Sequence, residues 1–190
     1  MTIEFFPDSH LYFKDGKYLP SVSRILVDLG FVDTTWFTEE GRNRGSAVHI
    51  MVKHHAMGGG CMEMTEELTP YFEAYKKFEN EMNWRPEVVE TPMANESFAG
   101  TPDAIGLMND CPAVVDWKTG VTLSPANPIQ LAFYEILWGK PLKRFILQLL
   151  PTGNYRLTEY NNRGDRYIAL AASAIWWWKF NNLKNKKDFT

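Results

Sequence analysis

Gly100-Thr101-Pro102-Asp103-Ala104-Ile105-Gly106 and, thirteen positions on, Ala113-Val114-Val115-Asp116-Trp117-Lys118-Thr119-Gly120 decide how the chain is read. The second stretch has the pattern of a buried strand: three apolar residues, Asp116 and Lys118 two apart, then Thr-Gly to end it. Side chains alternate across a strand, so Asp116 and Lys118 share one face while Val115 and Trp117 share the other. A carboxylate and an ammonium on so apolar a strand are expensive to bury without further partners. Asp103 belongs to a preceding segment bracketed by Gly100 and Gly106, a neighbouring strand joined through Met108-Asn109-Asp110-Cys111-Pro112. Two acids and a lysine meeting at one end of that hairpin make a hard-cation site with an amine beside it. The bland alternative is an internal Asp116–Lys118 ion pair, with Asp103 capping a turn.

Outward from this hairpin, Glu90 stands thirteen residues before Asp103, and Asp103 thirteen before Asp116. That spacing fits three successive antiparallel strands. Upstream, Ile3 to Phe6 and Leu11 to Phe13 are strand-like, and Asp15-Gly16 turns the chain before Tyr18, giving a small β unit over residues 1–20. Ser21 caps a helix that Gly30 ends. Ser21 and Ser23 are either caps or, with Arg24, phosphate contacts. Thr38 to Met57 is helical up to Gly58-Gly59-Gly60, with Arg42, Gly45 and His49 on one side and Arg44 between them. A glycine inside a helix costs roughly 1 kcal/mol, which points to a close approach at Gly45. His54 and His55 read as solvated or packing residues. Glu66 to Asn83 carries an apolar stripe of Leu68, Tyr71, Phe72, Tyr75 and Phe78, ended by Pro86. After a loop with Pro125 and Pro128, a helix over Ile129 to Trp138 sets Gln130 and Tyr134 on one face. Arg144 to Leu150 and Tyr155 to Tyr160 are two more strands. Residues 160–190 hold a closing helix, whose Trp176-Trp177-Trp178 run is part core and part exposed, and a solvated tail with Lys184, Lys186 and Lys187.

With 190 residues, 45% of them hydrophobic and 23% charged, the expectation is one globular domain over 1–190. No apolar run reaches the ~20 residues of a membrane span. The N-terminus has no secretory pattern, so a cytoplasmic, reduced protein is expected. Cys61 and Cys111 lack Cys-x-x-Cys spacing and cannot hold an iron–sulfur cluster or four-cysteine zinc. A net charge of −3 argues against bulk attraction to nucleic acid and confines any basic surface to one groove.

In order, Arg44-Gly45 with His49, Glu90, Gly100 to Asp103, Asp116-Trp117-Lys118-Thr119-Gly120, and Gln130 with Tyr134 resemble the RecB-like and lambda-exonuclease-like branch of the PD-(D/E)XK nuclease superfamily. The resemblance covers about Ser21 to Leu150, and Pro20-Ser21-Val22-Ser23 is similar to phage-encoded members. It implies an α/β (α+β) restriction-endonuclease-like core: a central mixed sheet with an antiparallel three-strand meander, flanked by helices. It implies a Mg²⁺- or Mn²⁺-dependent deoxyribonuclease, an exonuclease of phage or bacterial recombination and repair in the host cytoplasm. Asp103, Asp116, His49 and the Trp117 carbonyl would hold the cation, and a nitrogen ligand favours Mn²⁺. Lys118 would position the nucleophile. Glu90 would serve a second metal, a metal-held water or a neighbour's orientation. Gln130, Tyr134, Arg42, Arg44, Ser21, Ser23 and Arg24 would contact DNA. Partners implied are DNA, a single-strand annealing or motor protein, and further copies in a ring. The rival readings are a non-catalytic nucleic-acid-binding or assembly protein on this fold, and a phosphohydrolase of small substrates.

Overall fold

The three acids spaced thirteen apart form a row because three strands pair antiparallel in matching register. The computed structural model describes residues 2–7, 9–33, 35, 38–59 and 64–184, with Leu183 and Lys184 described by backbone alone. Gly60, Cys61, Lys186 and Lys187 lie outside the described residues, as does the side chain of Lys184. The elements are β1 (Ile3–Phe6), β2 (Leu11–Lys14), β3 (Lys17–Leu19), α1 (Val22–Asp28), α2 (Glu39–Ala56) and α3 (Thr69–Glu81). There follow β4 (Trp84–Val89), β5 (Met93–Ala94), β6 (Ala99–Gly100), β7 (Ala104–Met108) and β8 (Cys111–Lys118). The chain continues with α4 (Asn127–Trp138), β9 (Lys143–Leu149), β10 (Tyr155–Glu159) and α5 (Gly164–Lys184).

The central sheet runs β10-β9-β8-β7-β4, with β8 and β9 parallel and every other pair antiparallel. A parallel pair needs a crossover, and α4 supplies it. Val89 faces Ala104, and Ala104 faces Val115. One step along the same ladders, the Glu90 N–H donates to the Asp103 carbonyl at 3.0 Å, and Asp103 falls opposite Asp116. The strand alternation read from the sequence holds on β8. Ala113, Val115 and Trp117 pack with Val48, Met51, Tyr75 and Phe78 of α2 and α3. Val114 faces Ile129, Phe133, Ala169 and Trp176 on the other side. Helices therefore cover both faces, and burying a side chain such as Phe78 contributes roughly 2–3 kcal/mol.

Three expectations change in detail. Pro86 does not end α3; it lies inside β4, an edge strand that can spare an N–H. The helix stops at Met82, and Asn83 turns the chain with φ 44°. Pro128 belongs to the first turn of α4 rather than to the loop before it. A short β5–β6 ladder interrupts the meander between Glu90 and Asp103. The N-terminal β unit forms as read, a β1-β2-β3 sheet with Asp15 and Gly16 in the second turn. It packs on the β5–β6 insert: Tyr12, Leu19 and Ala99 form one apolar cluster, Lys14 pairs with Glu96, and Tyr12 OH meets Thr101 Oγ1 at 2.8 Å.

Candidate active site

The acids lie toward one end of their strands, held by sheet register beside a cavity. α2 crosses this end and delivers His49. Its Nε2 is 3.2 Å from the Trp117 carbonyl oxygen, and its Nδ1 is 3.5 Å from Asp103 Oδ1 and 3.8 Å from Glu90 Oε1. Burial works to lower the imidazole pKa, but Asp103, Glu90 and Asp116 outweigh it and push it up to about 9. Lys53, one turn further along α2, reaches Glu90 Oε2 at 3.0 Å. Burial would raise the Glu90 carboxyl, yet His49 and Lys53 beside it hold it below its ordinary value. Lys53 is absent from the sequence reading; its place four residues after His49 on one helix face was the signal.

Asp103 and Asp116 are nearly inaccessible, at 8% and 1% exposure. Asp103 Oδ2 accepts the Trp117 N–H at 2.8 Å, pinning β8 to the start of β7. Burial, with the Asp116 charge adding to it against His49, pushes the Asp103 carboxyl up to about 7. Lys118 Nζ lies 2.6 Å from the buried Asp116 Oδ2, a close charge-paired contact. Burial alone would lower the Lys118 pKa; Asp116 and Asp103 reverse this and hold the ammonium charged.

A cavity of about 200 Å³ opens on this floor, with Asp103, Asp116, Lys118 and His49 on one side. Ser21, Ser23, Gln130 and Tyr134 also line it, and His10 and Tyr12 close it from the N-terminal β unit. A second cavity, about 360 Å³, adjoins it through Ser23, Lys118 and Gln130. Gln130 Nε2 donates to Tyr134 OH at 3.1 Å, and burial near Asp116 and Asp103 keeps that phenol un-ionised. Ser21 is the α1 cap, accepting the Arg24 N–H at 3.0 Å. Three expected DNA contacts do not line the cavity. Arg24 turns to Asp28 at 2.7 Å, Arg42 is exposed elsewhere on α2, and Arg44 lies 3.6 Å from Glu40 with its Nε buried and unbonded. The close approach expected at Gly45 is also absent: a Cβ there would meet Thr119 Oγ1 at an ordinary 3.8 Å. His10, Tyr12 and Thr101 escaped the sequence reading because only tertiary packing brings the N-terminal unit here.

The donor set suits a hard cation at one point and falls short at another. The Asp116 carboxyl is buried and Asp103 stands beside it on the next strand, oxygen ligands of the kind such an ion seeks. Among the described residues, no three His, Cys, Asp or Glu side chains form a cluster able to hold an ion by themselves. His49 is turned to the carboxylates and to the Trp117 carbonyl. A cation here would therefore lean on backbone oxygen and water as well as on the two aspartates.

No protein-family model and no curated protein matches the sequence. Solved structures resemble it to differing degrees. A presumed exonuclease from Eubacterium rectale superposes with a TM-score of 0.57 at 16% identity, over 92% of this chain and 77% of the other. An alkaline exonuclease from Laribacter hongkongensis gives 0.47 at 13%, over 88% and 92%. A phage-related exonuclease from Haemophilus somnus gives 0.36 at 12%, over 72% and 82%. At 16% identity the likeness to the Eubacterium rectale protein is one of fold alone: helices flanking an open mixed sheet.

Proposed function

We propose that the protein is a Mg²⁺- or Mn²⁺-dependent deoxyribonuclease, an exonuclease rather than an endonuclease, working in phage or bacterial DNA recombination or repair. One observation carries the reading: a buried Asp116, paired at 2.6 Å with a charged Lys118, lies across from a second buried acid, Asp103, and all three line one cavity. A purely structural ion pair has no need of a second buried acid whose carboxyl is forced up in pKa. The fold shared with the Eubacterium rectale protein supports the same reading.

Asp103, Asp116 and the Trp117 carbonyl would hold the cation, with His49 as the nitrogen ligand when it leaves its acid partners. When bound, the cation supplies Lewis acidity, acidifying a water and offsetting charge that builds on the phosphate. Lys118, kept charged by two aspartates, orients the nucleophile and stabilises the phosphate in the transition state instead of abstracting a proton. Glu90, paired with Lys53 and facing His49 Nδ1 at 3.8 Å, orients His49 by its charge. Gln130 and Tyr134, at the cleft wall, donate to the sugar–phosphate backbone.

The test is digestion of linear and closed circular DNA with Mg²⁺ or Mn²⁺ by the wild-type protein, Asp116→Ala and Lys118→Ala. The wild-type protein is expected to degrade linear DNA alone. Lys118→Ala should lose at least about 100-fold in rate while keeping the thermal shift that Mn²⁺ induces, whereas Asp116→Ala loses both. Equal rates in all three proteins would refute the site, and cutting of closed circles would make the enzyme an endonuclease.

A further inference from the structure

We propose that His10, carried on the turn between β1 and β2, contacts the sugar–phosphate backbone of DNA in the cleft that Lys118 also lines; this rests on the nuclease reading above. The turn brings His10 to the same cavity as Asp103, Asp116 and Lys118. Its ring is set edge-on against Phe5 at 5.5 Å and Tyr12 at 5.6 Å, both near perpendicular, so aromatic walls fix where it points. Tyr12 is itself immobilised, 1% exposed and bonded to Thr101, two residues before Asp103. The imidazole is thereby referenced to the reacting groups through a rigid path.

Among the described residues, His10 makes a backbone hydrogen bond to the Pro7 carbonyl at 3.3 Å and none through its ring. An imidazole offers one donor and one acceptor when neutral, and both stand free for a ligand. The backbone there has φ 53°, a left-handed conformation that glycine or asparagine adopts more cheaply. The ring therefore sits at a turn it does nothing to ease.

The experiment compares wild-type, His10→Asn and His10→Ala proteins in steady-state digestion of linear DNA. Fluorescence anisotropy of a labelled duplex on the same variants in an Asp116→Asn background reads binding alone. Asparagine keeps the left-handed turn while withdrawing the imidazole, so its melting temperature should stay within about 2 °C of wild type. KM and Kd are expected to rise about tenfold, the loss of one hydrogen bond to a charged group, with kcat within about twofold. Unchanged KM and Kd would overturn the proposal, and so would a parallel fall of melting temperature and kcat. Should the wild-type protein bind DNA without cutting it, the nuclease reading falls, while the anisotropy still decides for or against His10.

Discussion

At the scale of single residues, the site keeps charges where burial opposes them. Asp103 shows the cost most directly, since burial, with the Asp116 charge beside it, pushes its carboxyl up to about 7 from an ordinary 3.8. An acid raised in this way takes up protons on folding, so its unfavourable contribution is small at low pH and grows as pH rises toward 7. Asp103→Asn removes the charge while an amide oxygen can still accept the Trp117 N–H. Its melting temperature minus that of wild type is therefore expected to increase between pH 4 and pH 7 and then level off. The gain should reach roughly 3–8 °C, with cleavage lost. Thermal melts at several pH values check this, and a difference independent of pH would show that the ionised acid is not strained. Asp116, Trp117 and Lys118 were legible in sequence because a period of two assigns faces on any strand. Lys53 and His10 were not, since their relation to Glu90 and Asp103 depends on how α2 and the N-terminal hairpin are seated.

At the scale of elements, the fit of β4 to β7 sets the line of acids. Pro86 pairs with Gly106, and the register slips by one residue between Pro86 and Val88. A Cβ on Gly106 would run into the Arg85 carbonyl oxygen and come within 2.7 Å of Pro86 Cα, both of them backbone that cannot swing aside. Gly106→Ala is thus expected to destabilise the fold by about 3 kcal/mol or more and to displace Glu90 from Asp103. Urea unfolding combined with the digestion assay measures both effects; a stability loss under about 1 kcal/mol would mean that the bulge absorbs the methyl. This bulge also explains the misplaced reading of Pro86. A proline after a helical stripe ordinarily marks its end. Here a side-chain-free partner on the next strand admits it to a sheet edge. The β5 and β6 strands are two residues each, too short for periodicity to reveal.

At the scale of the whole molecule, a buried ionic knot ties the crossover together behind the site. Arg144 of β9, 4% exposed, lies 3.7 Å from Glu135 of α4 and 3.2 Å from Asp165 of α5, and donates to the Asn162 carbonyl at 2.7 Å. Arg166 adds a second cation to Glu135 at 3.1 Å. Removing one partner leaves opposite charges buried and uncompensated. Arg144→Met is expected to cost about 3–5 kcal/mol in chemical denaturation, and a neutral result would show that the knot relaxes into water. Among the described residues no helix is long and apolar enough to cross a membrane. α5 presents Tyr167 and Trp178 to solvent while burying Trp176, so the tryptophan run divides between core and surface as read.

The alternation on β8, the thirteen-residue spacing of the acids and the glycine and aspartate turns determined the strand meander by themselves, because each is a local rule of backbone geometry. Tertiary structure alone decided that the N-terminal hairpin walls the cleft, that Lys53 joins His49 on Glu90, and that Arg24, Arg42 and Arg44 stand away from the cavity. Those outcomes depend on contacts between segments far apart in the chain, where packing and charge balance choose the partner and no local pattern does.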